Sequence, residues 1–124
     1  MPTFSRFEDI HAWQKAREVT RSVYAITQNP GFDRDFGLRD QIRRASVSIM
    51  ANIAEGFARR SDKDFAYFLN ISRSSVAEVQ SHLYVALDQR YLGETEFTHI
   101  YVKLEETSKM IFALVRHLVI KNDR

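Results

Sequence analysis

The residues best suited to chemistry are the histidines and the acids placed near them. Four histidines occur, at 11, 82, 99 and 117. Glu96-x-x-His99 has the spacing that sets a carboxylate and an imidazole on one helix face, as in the di-iron centres of helical bundles. Such a centre needs a second pair of the same kind and two further glutamates. No second such pair is expected at His11, His82 or His117, so the ligand set is read as falling short. Glu78 and His82 share a face at i, i+4, but zinc needs three or four ligands and two make a surface contact. Arg6 and His11 have the spacing found in some helical ribonucleases. With 13 arginines in the chain, chance accounts for it. No glycine-rich phosphate loop, nucleophile elbow or base-activated serine is legible. The chain is therefore read as a non-enzyme with no catalytic residue, no metal ligand and no cofactor.

The arginines and one polar stripe remain. Arg39 and Arg43 stack at i, i+4, with Arg44 beside them; Arg59, Arg60 and Lys63 cluster twenty residues on. These basic residues are either a solvated face or a phosphate-binding surface that symmetry multiplies. Ser48, Asn52 and Glu55 follow four- and three-residue steps and form one stripe. A buried carboxylate needs a partner, and Arg44 and Arg73 are the candidates. The stripe is read as a hydrogen-bond network that fixes helix register, with a ligand site on Asn52 and Glu55 as the alternative.

These residues need helices to hold them. The chain has 124 residues, 44% of them hydrophobic, with four glycines and two prolines. That favours one domain over residues 1–124 made of long helices. It has no cysteine, which fits a reducing cytoplasm. No run of about 18 apolar residues exists to span a membrane. No apolar stretch follows Met1-Pro2-Thr3-Phe4, so no secretory signal is expected. Net charge is only +2, which permits a nucleic-acid partner without demanding one. Apolar spacing predicts helices over about 5–28, 38–58, 62–91 and 95–120. Their expected caps are Ser5 with Glu8, Asp33 or Asp35, Ser61 and Thr95; Gly93 is the expected left-handed residue ending helix 3. Short connections imply an antiparallel, up-and-down, all-α four-helix bundle.

Helix 2 is unusual. Ala45, Ile49 and Ile53 lie on one face; Met50 and Phe57 extend another; Val47, Ala51, Ala54 and Ala58 form a third. A helix apolar nearly all round needs cover on nearly all sides. The expected cover is a second copy of the chain, approaching closely over Ala51, Ala54 and Ala58.

The same helix carries a resemblance. Leu38, Gln41, Arg44-Ala45, Ser48-Ile49 and Asn52-Ile53-Ala54-Glu55-Gly56 resemble the signature of the 23S rRNA intervening-sequence, or S23 ribosomal protein, family. The likeness continues through Ser61, Phe65, Phe68, Leu69, Ile71, Arg73, Ser75 and Glu78, and through Phe7, Trp13 to Ala16 and Tyr24. Ser72 and Ser74 stand where that family usually has Ala and Gly, and Arg90 where Gly is common. The resemblance implies a four-helix bundle assembled as a ring, typically a homopentamer. It is also similar to the accessory proteins of diversity-generating retroelements, which implies RNA or DNA as a partner. Two readings result: a nucleic-acid-binding module, with Arg39, Arg43, Arg59, Arg60 and Lys63 as contacts, or a structural oligomer that recognises another protein.

Overall fold

A computed structural model describes residues 4–122. It contains four α-helices: α1 His11–Ile26, α2 Phe36–Phe57, α3 Asp62–Asp88 and α4 Glu94–Asn122, with short 3-10 turns at Phe7–Asp9 and Phe32–Arg34. Neighbours in sequence pack as neighbours in space, and α2 with α3 makes the most extensive contact. The bundle is all-α, and no helix among the described residues is long and apolar enough to cross a membrane.

Each helix presents one apolar stripe to a common core. Val19, Val23, Ile42, Ile49, Ile53, Leu69, Leu83, Ile100, Leu104 and Ile111 are essentially without exposure. Burying each such side chain is worth about 1.5–3 kcal/mol before entropy is counted. The helix starts follow local chemistry where no stronger demand competes. Asp35 accepts from the Leu38 amide at 3.2 Å to cap α2, and Ser61 accepts from the Asp64 amide at 3.1 Å to cap α3.

Three boundaries differ from expectation. α1 starts at His11, and Ser5 makes no cap; Glu8 pairs with Arg6 at 3.3 Å instead. Ile10 is extended and 1% exposed, so burying it turns the chain and overrides the local capping signal. Thr95 lies inside α4; Gly93 precedes the helix, and its amide reaches the Glu96 carboxylate at 3.4 Å. The left-handed residue after α3 is Arg90, φ +62°, and not Gly93. The Tyr91 amide donates to Ala86 O at 2.9 Å and the Arg90 amide to Leu87 O at 3.0 Å, the paired bonds of a Schellman ending. A glycine would take that φ without strain.

That ending positions Tyr91 across the top of the bundle. Its ring stacks on Phe32 at 5.2 Å and lies 3.1 Å from where a Cβ on Gly31 would sit, and Gly31 itself has φ +90°. Its hydroxyl donates to the Asp35 carboxylate at 2.9 Å, and Asn29 donates to its carbonyl at 3.0 Å. The bond to Asp35 holds the Tyr91 phenol above its ordinary value, with burial and the Asp35 charge adding to it. The two chain reversals at this end are thereby tied to one another.

Candidate interaction surface

The second helix carries the candidate site, and its circumference divides into three. Ile42, Ala45, Ile49, Ile53 and Gly56 point inward and are buried. Ser48, Asn52 and Arg59 lie toward α3. Arg44, Val47, Ala51, Glu55 and Ala58 form an outward ridge.

The α3 side is a polar seam. The Ser48 and Ser75 hydroxyls meet at 2.9 Å, and Asn52 Nδ2 donates to both the Ser48 carbonyl and its hydroxyl at 2.9 Å. Ser72 is fully buried and donates to Ile49 O at 2.7 Å. Ser72 thus uses its hydroxyl across the helix pair, which an alanine could not do. Gly56 lets the helices meet: a Cβ there would lie 2.9 Å from Phe65 Cδ1 and Phe68 Cβ.

The structure brings Ser48 and Asn52 together as the stripe required, but not the charges. Glu55 is exposed and pairs with Arg59 at 2.7 Å, not with Arg44 or Arg73. Arg44 lies eleven residues up the same helix, about 16 Å away at 1.5 Å per residue. Arg73 is on the α4 side of α3, with its guanidinium 4.8 Å above the Phe112 ring; its Nε is buried and has no acceptor among the described residues. The carboxylate sits on the outward ridge, so solvation and a one-turn partner satisfy it.

The structure also separates the candidate nucleic-acid contacts. Arg39 in the first turn of α2 and Arg59, two residues past its end, are about 30 Å apart. Arg39 pairs with Asp40 at 3.2 Å, donates to Asp33 O and covers Phe36. Arg43 donates to Thr27 Oγ1 at 2.8 Å and lies over Tyr24. Arg59 is held by Glu55 and lies over Phe68. Arg60 and Lys63 are exposed at the α2–α3 turn, beside Arg59.

Several residues carry no sequence signal strong enough to single them out. Arg17 stacks on Trp13 and, with Tyr24, Arg43 and Arg44, makes the outer α1–α2 face basic and aromatic. A cleft of about 600 Å³ opens there, lined by Tyr24, Asp40, Arg43, Arg44, Val47 and Ser48. Across the molecule, Tyr84, Phe97 and Tyr101 pack together with ring centroids 5.0–5.7 Å apart. A hydrogen bond with Tyr84, then burial, holds the Tyr101 phenol above its ordinary value.

Contrary to the expectation above, the sequence does hold a second Glu-x-x-His pair, since Glu8 stands three residues before His11. The two pairs lie at opposite ends of the bundle, one at the start of α1 and the other at the start of α4. Glu96 and His99 line a cleft of about 320 Å³ with Ser22, where Glu96 approaches Asn29 at 3.4 Å. Among the described residues no three acids or histidines group as a metal site would.

Residues 8–113 match the profile of a family described as 23S rRNA-intervening sequence protein. A crystal structure of a protein of unknown function from the S23 ribosomal protein family of Bacteroides thetaiotaomicron is similar, with a TM-score of 0.77 and 24% identity. The match covers 84% of this chain and 97% of that one, and at this identity it speaks for the fold. No curated protein matches the chain.

Proposed function

This chain belongs to the 23S rRNA-intervening sequence protein family, and from that premise we propose that it is a non-enzymatic module that assembles with copies of itself into a pentameric ring and binds RNA or DNA. The observation that carries the reading is the outward ridge of α2. Val47 remains 41% exposed, and Ala51 and Ala58 are exposed, on a helix whose other faces are packed. Apolar surface of this kind, rimmed by charge, marks an interaction site. Small side chains let a second helix come close.

Nucleic acid is placed at the α2–α3 turn, where Arg60 and Lys63 are exposed beside Arg59. Arg39 and Arg43 are committed to contacts within the chain and contribute less. A net charge of +2 per subunit sums to about +10 in a pentamer, a modest field, so local placement decides affinity. Light scattering at micromolar concentration tests assembly: an oligomer is expected, and a monomer rejects the reading. A salt titration with mixed-sequence single strands tests the partner. Affinity should fall with salt at a slope of about −0.7 per phosphate contact and weaken in Arg60→Ala with Lys63→Ala. Absence of binding at low salt rejects nucleic acid and favours a protein partner, for which exposed Tyr84, packed on half-buried Phe97 and Tyr101, supplies an aromatic surface.

A further inference from the structure

We infer that the outward ridge of α2 in one subunit seats in parallel on an outward stripe of α4 in the next copy, formed by Glu105, Phe112, Arg116 and Val119. The inference rests on the self-assembly proposed above and names the surface that receives the ridge.

The two surfaces have the same spacing and opposite character. Arg44, Ala51, Glu55 and Ala58 are separated by seven, four and three residues, and so are Glu105, Phe112, Arg116 and Val119. Each set recurs at helical spacing and lies on one side of its helix. All eight residues are exposed in the single subunit, with Phe112 at 44% and Val119 at 47%. Set in register, Arg44 meets Glu105 and Glu55 meets Arg116. Between and beyond these charges, small Ala51 meets large Phe112 and small Ala58 meets Val119. Like charges never oppose one another, and each large apolar side chain faces an alanine. A shift of one turn would destroy both charge matches.

The heights along the bundle agree with this register. The Ser48–Ser75 bond fixes α2 against α3, and the Gln80–Glu105 bond at 2.6 Å with the Arg73–Phe112 stack fixes α3 against α4. Through these links each ridge residue lies within about two residues, roughly 3 Å, of the height of its α4 counterpart. In an up-and-down bundle the second and fourth helices run in the same direction. Rotation about an axis along the bundle keeps both height and direction. Subunits related by that rotation bring an α2 ridge to an α4 stripe in parallel, at matched height. The contact is heterologous, since ridge and stripe are different surfaces of one chain, and repeating such a contact closes a ring when the rotation divides a full turn. The charge balance points the same way: α1 and α2 carry six basic and three acidic residues, α3 and α4 six basic and eight acidic.

Charge reversal tests the contact, with assembly followed by light scattering and helicity by circular dichroism. Glu55→Arg alone and Arg116→Glu alone should each raise the concentration for half-assembly by at least about tenfold, because like charges then face each other. Glu55→Arg combined with Arg116→Glu should return it to within about threefold of the wild type, the mark of a direct pair in a double-mutant cycle. Arg44→Glu with Glu105→Arg provides a second, independent cycle should one variant of the first lose helicity. A monomeric wild type overturns self-assembly itself. An oligomeric wild type whose single reversals still assemble, or whose double reversals are not restored in either cycle, overturns this register and leaves self-assembly standing.

Discussion

Two surfaces of α2 are built from small residues, and only one is closed by the chain's own fold. Toward α3, Gly56 and the serines at 48, 72 and 75 bring the backbones together, and four side-chain hydrogen bonds cross or line the seam. On the outward ridge, Ala51 and Ala58 offer the same lack of bulk and are exposed, while Ala54 beside it is half-buried. The seam pairs small residues with hydroxyls, whose hydrogen bonds suit a fixed, permanent contact. The ridge pairs them with Arg44 and Glu55, whose charges stay solvated in the free subunit. Small size allows approach in both places; the polar atoms around it mark which approach belongs to folding.

The largest effect expected from this contrast is at Gly56. A Cβ there meets Phe68 Cβ at 2.9 Å and the Phe65 carbonyl at 3.1 Å, and both are fixed by α3. Gly56→Val should destabilise the subunit by about 3 kcal/mol or more, since overpacking forces backbone shifts. Ala51→Leu, which adds the same number of carbon atoms on the ridge, should change subunit stability in dilute solution by less than about 0.5 kcal/mol. Urea denaturation of both variants checks the pair. Equal losses would mean that the ridge is closed within the subunit. A smaller effect is expected at Ser72→Ala, about 1 kcal/mol for one buried hydrogen bond, because Ile49 O keeps its place in the helix. The same denaturation measurement decides it, and no loss would mean the seam is held by packing alone.

Much of this was legible in the residues. The period of Ile42, Ile49 and Ile53 required an inward stripe, and Ser48 with Asn52 required a polar one. Asp35 and Ser61 announced the starts of α2 and α3. The start of α1 was not legible, since whether Ile10 is buried depends on packing that no local signal encodes. Ser72 carried no signal either: a serine in a helix reads as surface until the opposing carbonyl is known. Sequence placed Arg39 and Arg43 beside each other correctly, but could not show that Asp40, Asp33 and Thr27 engage them. The seam partner was not legible: a buried Glu55 would have required an arginine, but Glu55 turns outward to Arg59 and the partner of Ser48 is the Ser75 hydroxyl.

A control that touches neither surface is Arg90→Gly. Arg90 holds φ +62° and is exposed, so its side chain contributes strain and little packing. Glycine removes that strain and adds entropy to the unfolded chain, for a net gain of about 0.5–1 kcal/mol. A thermal melt should therefore move upward, with assembly unchanged. A loss of stability would mean that the Arg90 side chain has a partner important to the α3–α4 turn.

The smallest effect expected in the free subunit is at Glu55→Ala, and it separates the two surfaces most sharply. Were Glu55 part of the seam, paired with a buried arginine, its loss would cost about 3–5 kcal/mol by stranding the partner charge. It sits instead on the ridge, about half exposed, against a half-exposed Arg59 four residues on. Such pairs are worth about 0.3–0.5 kcal/mol, and alanine recovers part of that through its helix propensity. In dilute solution the denaturation midpoint should therefore hardly move. In the proposed assembly the same substitution should weaken association, because that register gives the ridge two charge pairs and the substitution removes one. The dependence on protein concentration is the diagnostic. A loss of several kcal/mol that is the same at every concentration would return Glu55 to the subunit's own network and remove it from the interface.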